Sequence, residues 1–345
     1  MASTRKMVYA LLISVALGLF NGRFTLLQAD SRNRAAQLDQ AVTAYNSAHF
    51  NQAITLLSAI VNDSSADKSL RRNAWWYLAR CHLAKGQTTK AKAAIMELLK
   101  FEPPPFEPDP EKESPLFLNV YYQARKEQSG STQIKRPDPG VQTLAIIDFK
   151  NRSYIKDSQR YTPMEKGFSD ILIHSLKGAT SLKVVERERI QWILKEHDIQ
   201  NAYEMEGAVR AGKLLGVHVV LLGSFIIHDK DDIWLSARLV KVETGEIILT
   251  AQEKGKVQNL FKLTEKLSRQ IAEGIKVEKV YVPRGEVPNS LDALFSYSQG
   301  LELLENNHYN EAYRKFMEAL NYDPSYERAR RKAESIKMLT IFASQ

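Results

Sequence analysis

Between residues 35 and 102 apolar side chains recur at helical spacing, and polar turns interrupt them near residues 48–51, 62–67 and 85–89. A stripe repeating every three to four positions buries one side of a helix, so this stretch predicts a row of helical hairpins. The connector that follows, FEPPPFEPDPEKESP at residues 101–115, holds too many prolines for a helix or sheet interior and reads as a rigid extended link. A helix over 116–126 is expected to cap the hairpins, and QSGSTQIKRPDPG at 128–140 has linker composition. After Gly140 the period changes. Alternation predicts strands at 141–149, 182–185, 217–227, 233–242 and 247–256, with amphipathic helices at 163–176, 188–197, 207–215 and 260–275. Helices covering one face of a sheet that ends in an antiparallel meander make an α+β domain.

The helical segments are also self-similar. Residues 72–103 resemble a tetratricopeptide repeat, with Trp75, Leu78 and Ala79 on a first helix, Gly86 at the turn, Ala91, Ile95 and Leu98 on a second, and Pro103 closing it. A preceding unit places Phe50, Ala53 and Leu57 correspondingly, and residues 293–326 fit best, through Gly300, Tyr309, Ala312, Phe316, Ala319 and Pro324. Small residues let paired helices approach, bulky ones fill the space beside them, and proline stops the second helix. The expected fold class is therefore α+β multidomain. A signal segment at 1–29 precedes a tetratricopeptide-like helical domain at 30–127. The linker at 128–140, a sandwich-type α+β domain at 141–280 and a C-terminal helical hairpin at 281–345 follow.

First-helix side chains of such repeats face a bound peptide, which makes Tyr45, Asn46, Trp76, Arg80, Tyr297 and Leu301 the candidate partner-binding residues. Trp76 and Arg80 are four apart and share a helix face. An aromatic beside an arginine is a common hot-spot pair, although large aromatics also bury themselves between helices.

At the N-terminus Arg5 and Lys6 precede MVYALLISVALGLF, an apolar run of signal-peptide length. Asn21, Gly22 and Arg23 interrupt it before the roughly 20 residues that span a bilayer. Export is the expectation, with Leu27-Gln28-Ala29 as an imperfect cleavage site and an uncleaved inner-membrane anchor as the alternative. A bacterial lipid anchor would require a cysteine directly after this stretch, and none stands there. The 48 basic and 40 acidic residues, net +8, are interspersed, which describes a solvated surface rather than a nucleic-acid stripe. A single cysteine, Cys81, excludes an intramolecular disulfide, and its helical setting marks it as a small buried hydrophobe.

The central domain carries a more specific pattern. Ala145-Ile146-Ile147-Asp148-Phe149 forms the first strand, and Val184-Val185-Glu186-Arg187 enters the next helix. The run AGKLLGV at 211–217 leads to the strand holding Gly223-Ser224, and Arg238-Leu239-Val240 with Thr244-Gly245-Glu246-Ile247 completes the order. In this sequence they resemble the CsgG family, named for the curli secretion component, over residues 141–274. The resemblance implies a periplasmic or outer-membrane accessory or assembly factor with no catalytic residues. Curli-like channel subunits or collars and activators of penicillin-binding proteins are its other family settings. The curli channel adds amphipathic hairpins that line a membrane barrel. Here residues 150–162 (KNRSYIKDSQRYT) are charged and no hairpin separates Gln200 from Ala208, which argues against a pore made by this chain alone.

Enzyme motifs are missing: GxxxxGK[ST], GxGxxG after a strand, GxSxG and HExxH do not occur. His174, His197, His218 and His228 lack ligand spacing, and the acidic turn Asp229, Asp231, Asp232 offers too few oxygens for calcium. No cofactor or metal is expected. The expected partners are envelope proteins or peptides and further copies of the chain, with peripheral outer-membrane association and no nucleic acid.

Overall fold

The computed structural model describes residues 33–101, 106–133, 141–156, 158–177, 181–228, 232–277 and 285–342. The expected signal segment, Pro103, most of the expected linker, and Asp229 and Asp231 lie outside the described residues. The chain forms two compact units that divide between Phe106 and Glu107.

In the first unit, helices α1 (33–46), α2 (Phe50–Asn62), α3 (Lys68–Ala84) and α4 (Thr88–Leu99) follow one another through short turns. Asp67 caps α3, its carboxylate accepting from the Ser69 amide at 2.7 Å, as the first turn of a helix requires. Ala41, Ala53, Ala74, Ala79 and Ala91 are fully buried and let the helices approach, while Phe50, Leu57, Ile60, Leu78, Ile95 and Leu98 fill the spaces between them. Cys81 is among these core residues, and burial pushes its thiol up to about 12, so it stays a neutral hydrophobe.

The second unit opens with α5 (Pro115–Ser129), capped by Ser114. Within this unit α5 packs on α7 (Arg187–Glu196), with Tyr122 against Trp192 at 5.6 Å and Lys126 paired with Glu196 at 2.7 Å. The compact units thus part before α5, whereas the sequence placed the boundary after it. An amphipathic helix shows which side it buries, not against which neighbour.

The sheet holds β1 (Gln142–Ile146), β2 (Lys150–Asn151), β3 (Leu182–Val184), β4 (Val219–His228), β5 (Asp232–Lys241) and β6 (Ile247–Lys256). Their order is β3-β1-β4-β5-β6, with β2 beside β4. β3, β1 and β4 are parallel, as is β2 to β4, and β4, β5 and β6 form the antiparallel meander. Leu144, Ile146, Leu221, Phe225, Ile227, Ile233, Leu235 and Leu239 share a core with residues of α6 (Met164–Leu176) and α9 (Leu260–Gly274). Alternation turns Val220 to the opposite side, and there α8 (Met205–Leu215) packs. A Cβ on Gly212 would come within 2.7 Å of Val220 and 2.6 Å of Val242, so glycine is needed where this helix meets the sheet. The parallel end is therefore covered on both faces, a difference from the one-faced packing expected.

The C-terminal helices α10 (Leu291–Glu305), α11 (Tyr309–Tyr322) and α12 (Glu327–Phe342) share a core of Ala293, Tyr297, Leu301, Leu304, Ala312, Phe316, Tyr326, Ala329 and Ile336. They form no separate body: α10 lies on α6, where Gly167 faces Ser298, and Leu294 joins the core under the sheet.

Candidate partner-binding surfaces

On the first unit, α1 and α3 bring together three of the four residues expected there. Tyr45, Trp76 and Arg80 are partly buried, and Asn46 is exposed. The Arg80 guanidinium lies 4.3 Å from the Trp76 ring centroid and 5.4 Å from that of Tyr77, and Tyr45 meets Tyr77 edge-on at 5.5 Å. This is a continuous aromatic and cationic strip, the pairing that helical spacing of four implies. One end is already occupied by the chain itself. Phe106 is buried against Trp76 at 6.0 Å, with the Arg72 guanidinium 5.5 Å from its ring. Tyr77, Arg72 and Phe106 were not among the sequence candidates. Tyr77 adjoins Trp76 in sequence, but the place of Phe106 depends on how the proline-rich connector turns.

Tyr297 and Leu301 are core residues rather than groove residues, 0% and 2% exposed. The Tyr297 ring stacks within 5.5 Å of Phe316 and 5.0 Å of Tyr326, and its hydroxyl donates to Asp170 at 2.9 Å. Their inward stripe is closed by α11, α12 and α6, which removes them from any partner-facing surface.

Around Asp170 lies a buried polar hub that sequence reading did not identify. Arg328 of α12 donates Nε and Nη2 to the two Asp170 oxygens at 2.9 and 2.8 Å, and Nη1 to Glu111. Lys332, one turn on, pairs with Glu188 at the start of α7. Arg187 bridges Asp148 and Glu305, and Lys166 reaches Glu305 at 3.0 Å. Arg331 takes Glu286 at 2.6 Å. Burial works against the Asp170 carboxylate, but the charge and hydrogen bonds of Arg328, with Lys332 beyond it, outweigh burial and hold the group well below its usual range. Burial likewise raises Glu111 less than Arg328 and the cations beside it lower it, leaving about 2. His174 sits inside this hub, 3.5 Å from Glu286 and 3.8 Å from Glu111, with Nε2 lacking a hydrogen-bond partner. These pairs tie the C-terminal helices to α6 and α7. Among the described residues, no group of three or more His, Cys, Asp and Glu side chains is placed to hold a metal ion. No helix among them is long and apolar enough to cross a membrane.

Several solved structures align with the chain. The LpoB C-terminal domain from Salmonella enterica is 15% identical with a TM-score of 0.26, covering 40% of this chain and 94% of that one. Lipoprotein GNA1162 from Neisseria meningitidis is 16% identical with a TM-score of 0.29, covering 38% and 96%. A PelC dodecamer from Paraburkholderia phytofirmans is 12% identical with a TM-score of 0.25, covering 42% and 96%. No curated protein matches. The family match ends before β5 and β6, where the sequence resemblance had been extended: residues 127–231 match the model described as curli production assembly/transport component CsgG, and over that stretch the chain is CsgG-like.

Proposed function

We propose that this chain is a non-enzymatic accessory factor of the bacterial cell envelope, acting in the periplasm or at the outer membrane. It holds protein partners through tetratricopeptide-type hairpins and a CsgG-like domain. The observation that carries the reading is the family match at residues 127–231, which lies on the sheet and helices of the second unit. The strip of Tyr45, Trp76, Tyr77 and Arg80 supports a peptide-binding role for the first unit, because aromatic and arginine anchors dominate binding energy at interfaces. The apolar run at residues 7–20 supports export.

The test has two arms. A tagged full-length chain is fractionated, and recovery in the cytosol alone would overturn the localisation. Envelope fractions are then captured with the wild-type chain, with Trp76→Ala, and with Lys337→Glu as a surface control. A partner retained by wild type and by Lys337→Glu but lost with Trp76→Ala is the expected result. Identical capture by all three would remove the first unit from the interaction.

A second reading, favoured by the match to an assembly/transport component, is a subunit or collar of a secretion channel. It predicts ring-shaped oligomers in electron micrographs of the purified chain, with conductance in planar bilayers if the ring itself forms the pore.

A further inference from the structure

We infer that the open face of β4, β5 and β6 is a binding site for an anionic, carboxylate-bearing glycan. Strand register defines this face. Ile226, Trp234 and Lys254 stand side by side, then Ser224, Ser236 and Gln252, then Leu222, Arg238 and Thr250. Residues opposite one another project to the same side of a sheet. The opposite side is the core packed by α6 and α9. At one end Leu222 is closed off, but Trp234 is 43% exposed, and Arg238, Thr250, Gln252 and Lys254 are exposed.

The charge on these three rows is of one sign. They contain Lys254 and Arg238 and no acid, and in the next row Asp232 is neutralised by Lys256 at 2.7 Å. A ligand for this face is therefore anionic. The Trp234 ring carries the Lys254 ammonium 3.9 Å from its centroid and the His228 ring at 4.5 Å. The indole thus holds the ammonium over its own face, with part of the ring still exposed beside it, which places a fixed cation next to apolar surface for a ligand whose carboxylate adjoins an apolar ring, as in a sugar acid. Ser224, Ser236, Thr250 and Gln252 each offer both a donor and an acceptor, which is what hydroxyl-rich ligands need.

Composition separates a glycan from other polymers. Cores of protein interfaces are depleted in serine and lysine, yet these residues surround the single tryptophan and arginine here. Single-stranded nucleic acid is held by bases stacked on successive aromatics, and these rows present one.

The experiment is isothermal titration of the full chain with hexagalacturonate, cellohexaose, hexaglutamate and a single-stranded DNA oligomer, alongside tryptophan fluorescence. Hexagalacturonate is expected to bind and to change the fluorescence. Trp234→Ala should abolish that change, and Arg238→Glu with Lys254→Glu should weaken binding by about tenfold or more, as loss of roughly 1.4 kcal/mol requires. Lys337→Glu should leave binding intact, and circular dichroism should show all variants folded, since every altered side chain is at the surface. Absence of hexagalacturonate binding, or equal binding of it to the double charge reversal, would overturn the assignment. So would equal affinity for cellohexaose, for hexaglutamate or for the DNA oligomer.

Discussion

The Arg328 guanidinium grips the Asp170 carboxylate across 158 positions of sequence, Nε to Oδ2 at 2.9 Å and Nη2 to Oδ1 at 2.8 Å, with both side chains 2% exposed. Taking two charges out of water is costly, and such a pair is held together by geometry and by additional hydrogen bonds. Here Tyr297 and Glu111 supply them. Asp170→Asn leaves a buried cation without its main counter-charge and is expected to cost about 3–5 kcal/mol in urea unfolding. Asp170→Asn combined with Arg328→Met should recover part of that loss. A double variant no more stable than Asp170→Asn alone would contradict the pairing account.

A tighter steric requirement lies beside it. A Cβ on Gly167 would overlap the Ser298 hydroxyl and come within 3.0 Å of Leu294, where α6 crosses α10. Ser298 is buried and its hydroxyl donates to the Leu294 carbonyl, so it cannot swing away. Gly167→Ala should destabilise the second unit by about 1–3 kcal/mol, and Gly167→Ala with Ser298→Ala should relieve part of this. Thermal unfolding of the two variants checks it.

His174 reports on the same seam through pH. Burial, and after it Arg328, outweighs Asp170 and Glu111 and lowers the imidazole to about 3 from 6.5. The groups acting on the ring are Asp170 on its own helix, Lys177 just past that helix's end, Glu111 and Glu286 from the loops, and Arg328 from α12. As pH falls below about 6.5 the unfolded chain takes up a proton that the folded chain refuses until about 3. Stability therefore falls with pH across that window, by at most about 1.4 kcal/mol per unit from this one group. Glu111, held at about 2 against 4.5, adds a further loss below about 4.5. Urea midpoints of wild type should drop between about pH 7 and about pH 5, and His174→Gln should flatten that drop. Parallel curves for the two proteins would rule out this origin.

On the first unit, the Arg80 guanidinium at 4.3 Å from the Trp76 ring predicts a favourable coupling. A double-mutant cycle with Trp76→Ala and Arg80→Ala should give about 0.5–1 kcal/mol in chemical denaturation. A coupling of zero would mean the two merely lie close.

Much of this architecture was legible because burial leaves a period. In β5, Ile233, Leu235, Ala237 and Leu239 are buried while Trp234 and Arg238 are exposed, the alternation from which the strand was read. β6 was expected over the residues it occupies. β2 has two residues and exists because Ser224 and Phe225 pair with it, so no local pattern announces it. Arg328 and Lys332 stand in a helix beginning ERARRK, which looks like a solvated face until Asp170 and Glu188 come to meet it. Tyr297 and Leu301 share the spacing of a groove and of a core stripe alike, and the packing of Phe316 and Tyr326 decides between them. Spacing of four, read alone, states that two side chains are neighbours and leaves open what covers them.

The distance in sequence between Asp170 and Arg328 also fixes when the domain can be finished. A ribosome delivers the acid of α6 long before the cation of α12, so a nascent chain carries a carboxylate waiting for its counter-ion until the last helix emerges. A prematurely terminated product would keep that acid stranded at an unfinished seam, unable to dry and close, and would present itself to proteases as an unfolded chain.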